Sequence, residues 1–160
     1  MKLWVTISLP LYLLDQLTKW LVLRNISTEE VIPVIPGFFN LVQVHNTGAA
    51  FGMLKNNNVF FVALSSAALI VLVGLTWRGV FSDRLSRLAA ALLLAGVAGN
   101  LTDRLRHGHV IDFLDFILPW YGRWPSFNVA DSCICVAAGL LIFSSFFDGK
   151  AKPAAGSSPA

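Results

Sequence analysis

The sequence predicts an all-α integral membrane protein with four transmembrane helices and a small β-containing extracytoplasmic cap. The chain has 160 residues, of which 56% are hydrophobic and 13% are charged, whereas a soluble domain carries about a quarter charged residues. Several apolar runs are roughly 20 residues long, which matches a hydrocarbon core of about 30 Å. We therefore expect residues 1–150 to form a single membrane domain. Residues 151–160 are rich in Pro, Gly, Ser and Ala and are expected to form a disordered tail.

Hydropathy places the four spans at about residues 3–23, 59–77, 88–105 and 129–147. The first span is not read as a cleaved signal peptide, because it is long, carries charged residues and lacks an A-x-A cleavage site. The net charge of +3 comes from scattered basic residues, which do not form the aromatic-interleaved cluster of a nucleic-acid binder. Basic residues lie at both ends of the chain and in the short connection between the second and third spans, so the positive-inside rule places these parts in the cytoplasm. The residues are Lys2, Arg78, Arg84, Arg87, Lys150 and Lys152.

The two longer connections are therefore expected outside the cytoplasm. In the first, residues 31–37 and 38–44 combine β-branched and aromatic residues with Pro and Gly, which indicates short strands on the membrane surface. In the second, the aromatic residues around Pro119 and Pro125 are typical of headgroup depth. These aromatic residues are Trp120, Tyr121, Trp124 and Phe127.

The third span combines small residues with a polar end. Small side chains at residues 95, 96, 98 and 99 would let a neighbouring helix approach closely. Helical spacing places Asn100, Asp103 and Arg104 on one face. We expect Asn100 and Arg104 to satisfy Asp103, which would then stay ionised in a structural network. In the first span, Asp15 and Lys19 are four residues apart and are expected to pair.

Two other aspartates flank the outer boundary. Asp112 follows a helix-ending Gly108 and lies among apolar residues without a local counter-charge. Asp131 falls at the third helical position after Asn128, a natural N-cap, and a capping box would explain that spacing without any chemistry. Together, however, the two carboxyls have the separated proton affinities that an aspartic protease needs. We predict that Asp131 begins as the general base and Asp112 begins protonated.

Five motifs follow one another along the chain: Asp15-Gln-Leu-Thr-Lys19, His45-Asn-Thr-Gly-Ala-Ala-Phe51, Gly99-Asn-Leu-Thr-Asp-Arg104, Val110-Ile-Asp-Phe113 and Phe127-Asn-Val-Ala-Asp-Ser132. In this order they resemble the lipoprotein signal peptidase family, also called signal peptidase II. The resemblance implies an aspartyl endopeptidase of the bacterial inner membrane, with its active site toward the extracytoplasmic side. The implied substrates are diacylglyceryl-modified prolipoproteins, cut just before the lipidated cysteine. The antibiotic globomycin and membrane lipid are further implied partners, and no cofactor or metal is implied.

The family's catalytic aspartates match Asp112 and Asp131, the pair also selected from their surroundings. The resemblance further implies residues that orient the pair, hold the outer loop and bind substrate or inhibitor. Cys133 and Cys135 depart from the family's small or apolar residues, and we interpret both as packing thiols that diverge too far to form a disulfide. The implied supporting residues are Asp15, Lys19, Asn46, Gly48, Asn100, Asp103, Arg104 and Asn128.

Three other chemistries are weighed against this interpretation. A metallopeptidase could use His107 and His109 with Asp112 and Asp115, although H-x-H near a turn is a weak signal. An ion-coupled transporter could use the charged residues of the first and third spans, but no inverted repeat is evident. A nucleophile at Ser132 or Cys133 has no suitably placed base along the sequence.

Overall fold

A computed structural model of the protein describes residues 4–48 and 57–148. The predicted tail, the three terminal lysines and the end of the His45–Phe51 motif therefore lie outside the described residues. The described chain contains helices α1 to α4, a π-helical turn before α1, and strands β1 to β4. In chain order these are the π-helix Trp4–Ser8, α1 Leu9–Asn25, β1 Val31–Ile35, β2 Phe39–Asn46, α2 Asn58–Trp77, α3 Arg84–His107, β3 Val110–Leu118, β4 Gly122–Arg123 and α4 Val129–Asp148.

Helices occur at all four positions where hydropathy predicts a span. Among the described residues, α2, α3 and α4 are long and apolar enough to cross a membrane. Helix α2 also exposes Val59, Ile70 and Trp77, as expected of a helix whose solvent is lipid. Helix α1 has only 17 residues, and its crossing of the membrane stays a prediction.

Helix α3 packs against α1, α2 and α4, and two of its glycines lie where atoms of α1 or α4 leave no room for a Cβ. A Cβ at Gly96 would lie 2.5 Å from the Ala130 carbonyl oxygen on α4. At Gly99 it would lie 2.5 Å from Asp15 Oδ2 on α1 and 3.1 Å from Ala130 Cβ. The prediction that small residues admit a close helix neighbour is confirmed at these two positions.

The cap is an antiparallel sheet of order β1-β2-β3-β4. Strands β1 and β2 lie where the first outer connection predicts them. Strands β3 and β4 were not predicted, because Val110–Leu118 is a continuous apolar run broken only by aspartates, without strict alternation. Its partner β2 is also far away in sequence. The prediction of an interfacial segment therefore missed that Asp112 lies on a strand.

The sheet is anchored on the end of α1. Ile111 and Phe113 of β3 form a buried cluster with Val22 and Ile26, which lie in and just after the last turns of α1. Gly108, with a φ of 78°, ends α3 in the left-handed conformation, and its N–H donates to the Arg104 carbonyl. This confirms the predicted helix end. The turn directs the chain from α3 into β3 within two residues, so Asp112 lies beside the C-terminal end of α3.

Candidate active site

Asp112 is buried on β3 with 2% of its surface exposed. Both of its oxygens accept hydrogen bonds from side-chain amides: Oδ1 from Asn128 Nδ2 at 2.8 Å and Oδ2 from Asn46 Nδ2 at 2.9 Å. Burial, and next the negative charge of Asp131, raise the pKa of Asp112 from 3.8 to about 7. A carboxyl with this pKa exchanges a proton near neutral pH.

Asp131 lies in the first turn of α4, in the capping box that the sequence predicts. The Asp131 N–H donates to Asn128 Oδ1 at 2.8 Å, and the Asn128 N–H donates to Asp131 Oδ2 at 3.3 Å. The remaining oxygen of Asp131 accepts from Asn100 Nδ2 at 2.7 Å. The position at a helix N-terminus favours a negative charge on this carboxyl.

Asn128 links the two aspartates. Its Nδ2 donates to Asp112 and also lies 3.2 Å from Asn100 Oδ1, while its Oδ1 accepts from the Asp131 backbone. Both carboxyls line one cleft of about 1090 Å³, and the predicted pair is thus brought together. The cleft is bounded by Val44, His45, Asn46, Thr47, Gly48, Asn100, Arg104, Val110, Asp112, Trp124, Pro125, Ser126, Phe127, Asp131, Ser132, Ile134, Cys135 and Val136.

The buried ammonium group of Lys19 contacts residues that hold the cleft in place. Lys19 is 2% exposed, and its Nζ lies 2.9 Å from Asp15 Oδ2 and 2.7 Å from Asp103 Oδ2. The predicted pair of Asp15 and Lys19 is therefore confirmed. Nζ also donates to Asn100 Oδ1 at 2.9 Å, which leaves the Asn100 amide N–H groups to face Asp131. Lysine thus fixes which end of the Asn100 amide reaches the cleft.

The two carboxylates beside Lys19 also hold backbone groups of the site. Asp15 Oδ1 accepts from the Ala130 N–H of α4 at 2.9 Å, and Asp103 Oδ2 accepts from the Ile111 N–H of β3 at 3.2 Å. The network therefore ties the strand that carries Asp112 to the helix that carries Asp131. Sequence reasoning missed Gln16, whose Nε2 donates to Asp103 Oδ1 at 3.1 Å. The available signal was a polar residue beside Asp15 inside an apolar run.

The prediction that Arg104 and Asn100 satisfy Asp103 is wrong. Asp103 contacts Lys19, Gln16 and a strand N–H instead. Consecutive residues on a helix point about 100° apart, so Arg104 is directed elsewhere. Its guanidinium lies 4.9 Å from the Phe61 ring centroid, and Nη2 donates to the Gly48 carbonyl at 3.2 Å.

The first outer connection reaches the cleft through Asn46 and Gly48. The Gly48 N–H donates to Asn46 Oδ1 at 3.0 Å, which leaves the Asn46 amide to donate to Asp112. Arg104 donates a hydrogen bond to the carbonyl of the same Gly48. The supporting residues predicted from the sequence therefore all lie within this network.

The three histidines lie together and one of them, His45, lines the cleft, an arrangement that the sequence alone did not predict. The His45 and His109 rings stack at 4.1 Å, and His107 lies 6.0 Å from His109. Burial, followed by the neighbouring imidazoles, lowers the pKa of His109. Across residues 4–48 and 57–148, no group of three or more His, Cys, Asp or Glu residues is placed to hold a metal ion.

The interpretation of both cysteines as packing thiols is correct for one of them. Cys133 is buried, whereas Cys135 is exposed and lines the cleft. Residues two apart on a helix point about 200° from each other, so only one of the pair can face the helix bundle. Both thiols are free.

Both the sequence and the fold of this chain are similar to known proteins. A family model described as signal peptidase (SPase) II matches residues 7–147. The lipoprotein signal peptidase of Syntrophotalea carbinolica is 47% identical over 140 residues, covering 84% of this chain and 85% of the relative. That of Photorhabdus laumondii is 40% identical over 155 residues, covering 93% and 90%. A solved structure described as a bacterial membrane enzyme aligns with a TM-score of 0.87 at 30% identity, covering 97% of this chain and 94% of that one.

Proposed function

Because the chain belongs to the signal peptidase II family, the resemblance noted in its sequence is confirmed, and we propose that it is an intramembrane aspartyl endopeptidase. Its substrates are diacylglyceryl-modified prolipoproteins, which it cuts just before the lipidated cysteine. One observation carries the proposal: Asp112 and Asp131 are bridged by Asn128 and line a single cleft. Family membership supports a membrane peptidase, and the carboxyl pair supplies the aspartic chemistry.

In the proposed mechanism Asp112 begins protonated and Asp131 begins as the carboxylate. Asp131 takes a proton from water, whose oxygen bonds to the scissile carbonyl carbon, while Asp112 donates its proton to the carbonyl oxygen. When the resulting gem-diol collapses, the C–N bond breaks and Asp131 passes its proton to the leaving nitrogen. Asp112 recovers a proton from the diol hydroxyl, so the starting state returns without a cofactor.

The surroundings of the two carboxyls support this assignment of roles. Asp131 receives a backbone N–H at a helix N-terminus and the amide of Asn100, which is itself fixed by buried Lys19. Asp112 lies on a strand without a helix dipole, and its pKa of about 7 keeps a proton available near neutral pH. The pair shares one proton because two adjacent carboxylates repel each other.

The cleft also suits a lipidated substrate. The polar residues Asn46, Asn100 and Arg104 line the cleft with the aspartates, and the apolar residues Phe127, Ile134 and Val136 also line it. An extended peptide would meet the aspartates, and acyl chains would pass along α4 into lipid. The cyclic peptide globomycin would bind in the same cleft and exclude substrate.

The proposed location is the bacterial inner membrane, with four spans and both termini in the cytoplasm. The C-terminal ends of α1 and α3 and the N-terminal end of α4 all meet at the sheet and cleft. The connection between α2 and α3, flanked by Arg78, Arg84 and Arg87, joins the opposite helix ends. The positive-inside rule places that connection in the cytoplasm and the cleft outside.

Cleavage of a synthetic diacylated prolipoprotein in lipid vesicles tests this function. Asp112→Asn and Asp131→Asn should each lower kcat/KM by about a thousandfold or more, as loss of a member of a catalytic unit does. Both variants should fold, since asparagine preserves volume, and their thermal unfolding should be checked. Exposed Glu29→Gln is the matched control and should cleave normally. Near-normal cleavage by either aspartate variant refutes the proposal.

EDTA addresses the metallopeptidase alternative in the same assay. We expect full activity in EDTA. Loss of activity that zinc restores would instead favour a metal-dependent peptidase.

A further inference from the structure

We infer that Asp115 and Arg123 are positioning residues that hold one wall of the cleft and thereby set how tightly substrate binds. The wall is the segment Trp124–Phe127, all four residues of which line the cleft. The inference rests on the proposed function, because the wall affects catalysis only if the cleft receives the substrate.

Asp115 is a buried carboxylate that the proposed chemistry does not use. It has no exposed surface, although it lies only three residues beyond Asp112 on β3. An odd spacing on a strand places the two side chains on opposite faces, and Asp115 does not line the cleft. Burying a charge costs free energy unless partners compensate it, so the partners of Asp115 indicate what it does.

Those partners lie on the two neighbouring strands. Asn40 of β2 donates Nδ2 to Asp115 Oδ2 at 2.8 Å. Asp115 Oδ1 receives no hydrogen bond from the described residues, and Arg123 Nε of β4 forms an ion pair with it at 3.3 Å. The compensation for one carboxylate oxygen therefore depends on Arg123. Since the side chain of Arg123 is 59% exposed, the guanidinium compensates the charge of Asp115 while it stays in contact with solvent.

Arg123 immediately precedes the wall. The Trp124 N–H donates to the Phe116 carbonyl at 2.8 Å, and the Phe127 N–H donates to the Leu114 carbonyl at 3.1 Å. Two steps along β3 therefore face three steps along the wall, so the wall carries one extra residue, as in a β-bulge. The bulged part contains Pro125, which has no N–H to pair with a strand.

Strand β4 holds this irregular segment weakly by itself. It has two residues, Gly122 and Arg123, and pairs with β3 only at Leu118 and Ile117. The ion pair to Asp115 adds a side-chain attachment at the point where regular pairing gives way to the bulge. Without it, the wall is expected to shift relative to the aspartates and to bind substrate less well, while the aspartates keep their own partners.

Steady-state cleavage of the diacylated substrate tests the inference. For Arg123→Gln and Asp115→Asn we expect KM to rise roughly twofold to fivefold, the size expected from losing an ion pair with one exposed partner, with kcat unchanged. Arg123→Lys should recover part of the loss. The double variant should resemble the single variants, because both remove the same contact. Arg106→Gln, an exposed arginine at the end of α3, is the matched control and should leave KM unchanged.

Unchanged KM in Arg123→Gln, or a fall in kcat alone, overturns the inference. If Asp115→Asn does not fold, the two variants of exposed Arg123 still decide. Asp112→Asn run in parallel separates the two failures. If Asp112→Asn is inactive and Arg123→Gln is normal, only the positioning role fails, whereas an active Asp112→Asn refutes the proposed catalytic function itself.

Discussion

Replacing Lys19 with methionine is the most informative perturbation of the buried network. The change removes an ammonium that lies 2.7 Å from Asp103 Oδ2, 2.9 Å from Asp15 Oδ2 and 2.9 Å from the side-chain Oδ1 of Asn100. All three side chains are buried. Removing one member of a buried ion pair costs about 3–5 kcal/mol, because the remaining charge is left uncompensated. Here two carboxylates lose their cation, so we expect a loss in the upper part of that range.

Unfolding of Lys19→Met in detergent micelles measures this loss, and cleavage at a temperature where the variant is folded measures its catalytic effect. Activity should also fall, because Asn100 Oδ1 then keeps only the 3.2 Å hydrogen bond from Asn128 Nδ2, and the Asn100 amide that faces Asp131 is held less firmly. Adding Asp103→Asn to Lys19→Met should restore part of the stability by removing one unpaired charge. If Lys19→Met unfolds within about 1 kcal/mol of the parent protein, the size of an exposed pair, the reasoning about the buried network is wrong.

Two further predictions concern pH and helix packing. Since the pKa of Asp112 is about 7, kcat/KM should fall as pH rises through that value and Asp112 loses its proton. Asn46→Ala removes a hydrogen bond that lowers this pKa, so the fall in kcat/KM should move to higher pH. A pH profile that Asn46→Ala does not shift would contradict the assignment of Asp112 as the proton donor. The pKa of Asp112 is raised above its value in the unfolded chain, so its contribution to the free energy of unfolding should be present below about pH 4 and lost as pH rises toward 7. The free energy of unfolding of Asp112→Asn should lack this pH dependence. Gly96→Ala places a Cβ 2.5 Å from the Ala130 carbonyl oxygen and should destabilise the fold by about 1–3 kcal/mol. Gly74→Ala is the control, because its Cβ meets nothing within 4 Å. Equal melting temperatures for the two variants would argue against the close contact between α3 and α4.

Hydropathy and local spacing were sufficient to predict much of this molecule. The helices, the capping box at Asn128 and the pairing of Asp15 with Lys19 depend on residues close together in sequence. The strand that carries Asp112 could not be predicted in the same way, because its partner β2 lies about seventy residues earlier and β3 does not alternate.

The partners of the buried charges were predictable only in part. Spacing correctly indicated that Asn100 and Asp103 belong to a polar network. It could not indicate that Lys19 of another helix, rather than neighbouring Arg104, compensates Asp103. Likewise, nothing near Asp115 in sequence indicates that Asn40 and Arg123 approach it from two strands. Such contacts depend on tertiary packing.

The central claim is that one proton is shared by the two aspartates and resides on Asp112 before substrate is cleaved. Infrared difference spectroscopy of the protein in lipid, recorded during a pH titration, tests it directly through the carbonyl stretch of a protonated carboxyl group. We predict a band that disappears with a midpoint near the Asp112 pKa of about 7 and that is absent in Asp112→Asn. A band that persists unchanged in Asp112→Asn, or no protonated carboxyl at slightly acidic pH, would contradict the account.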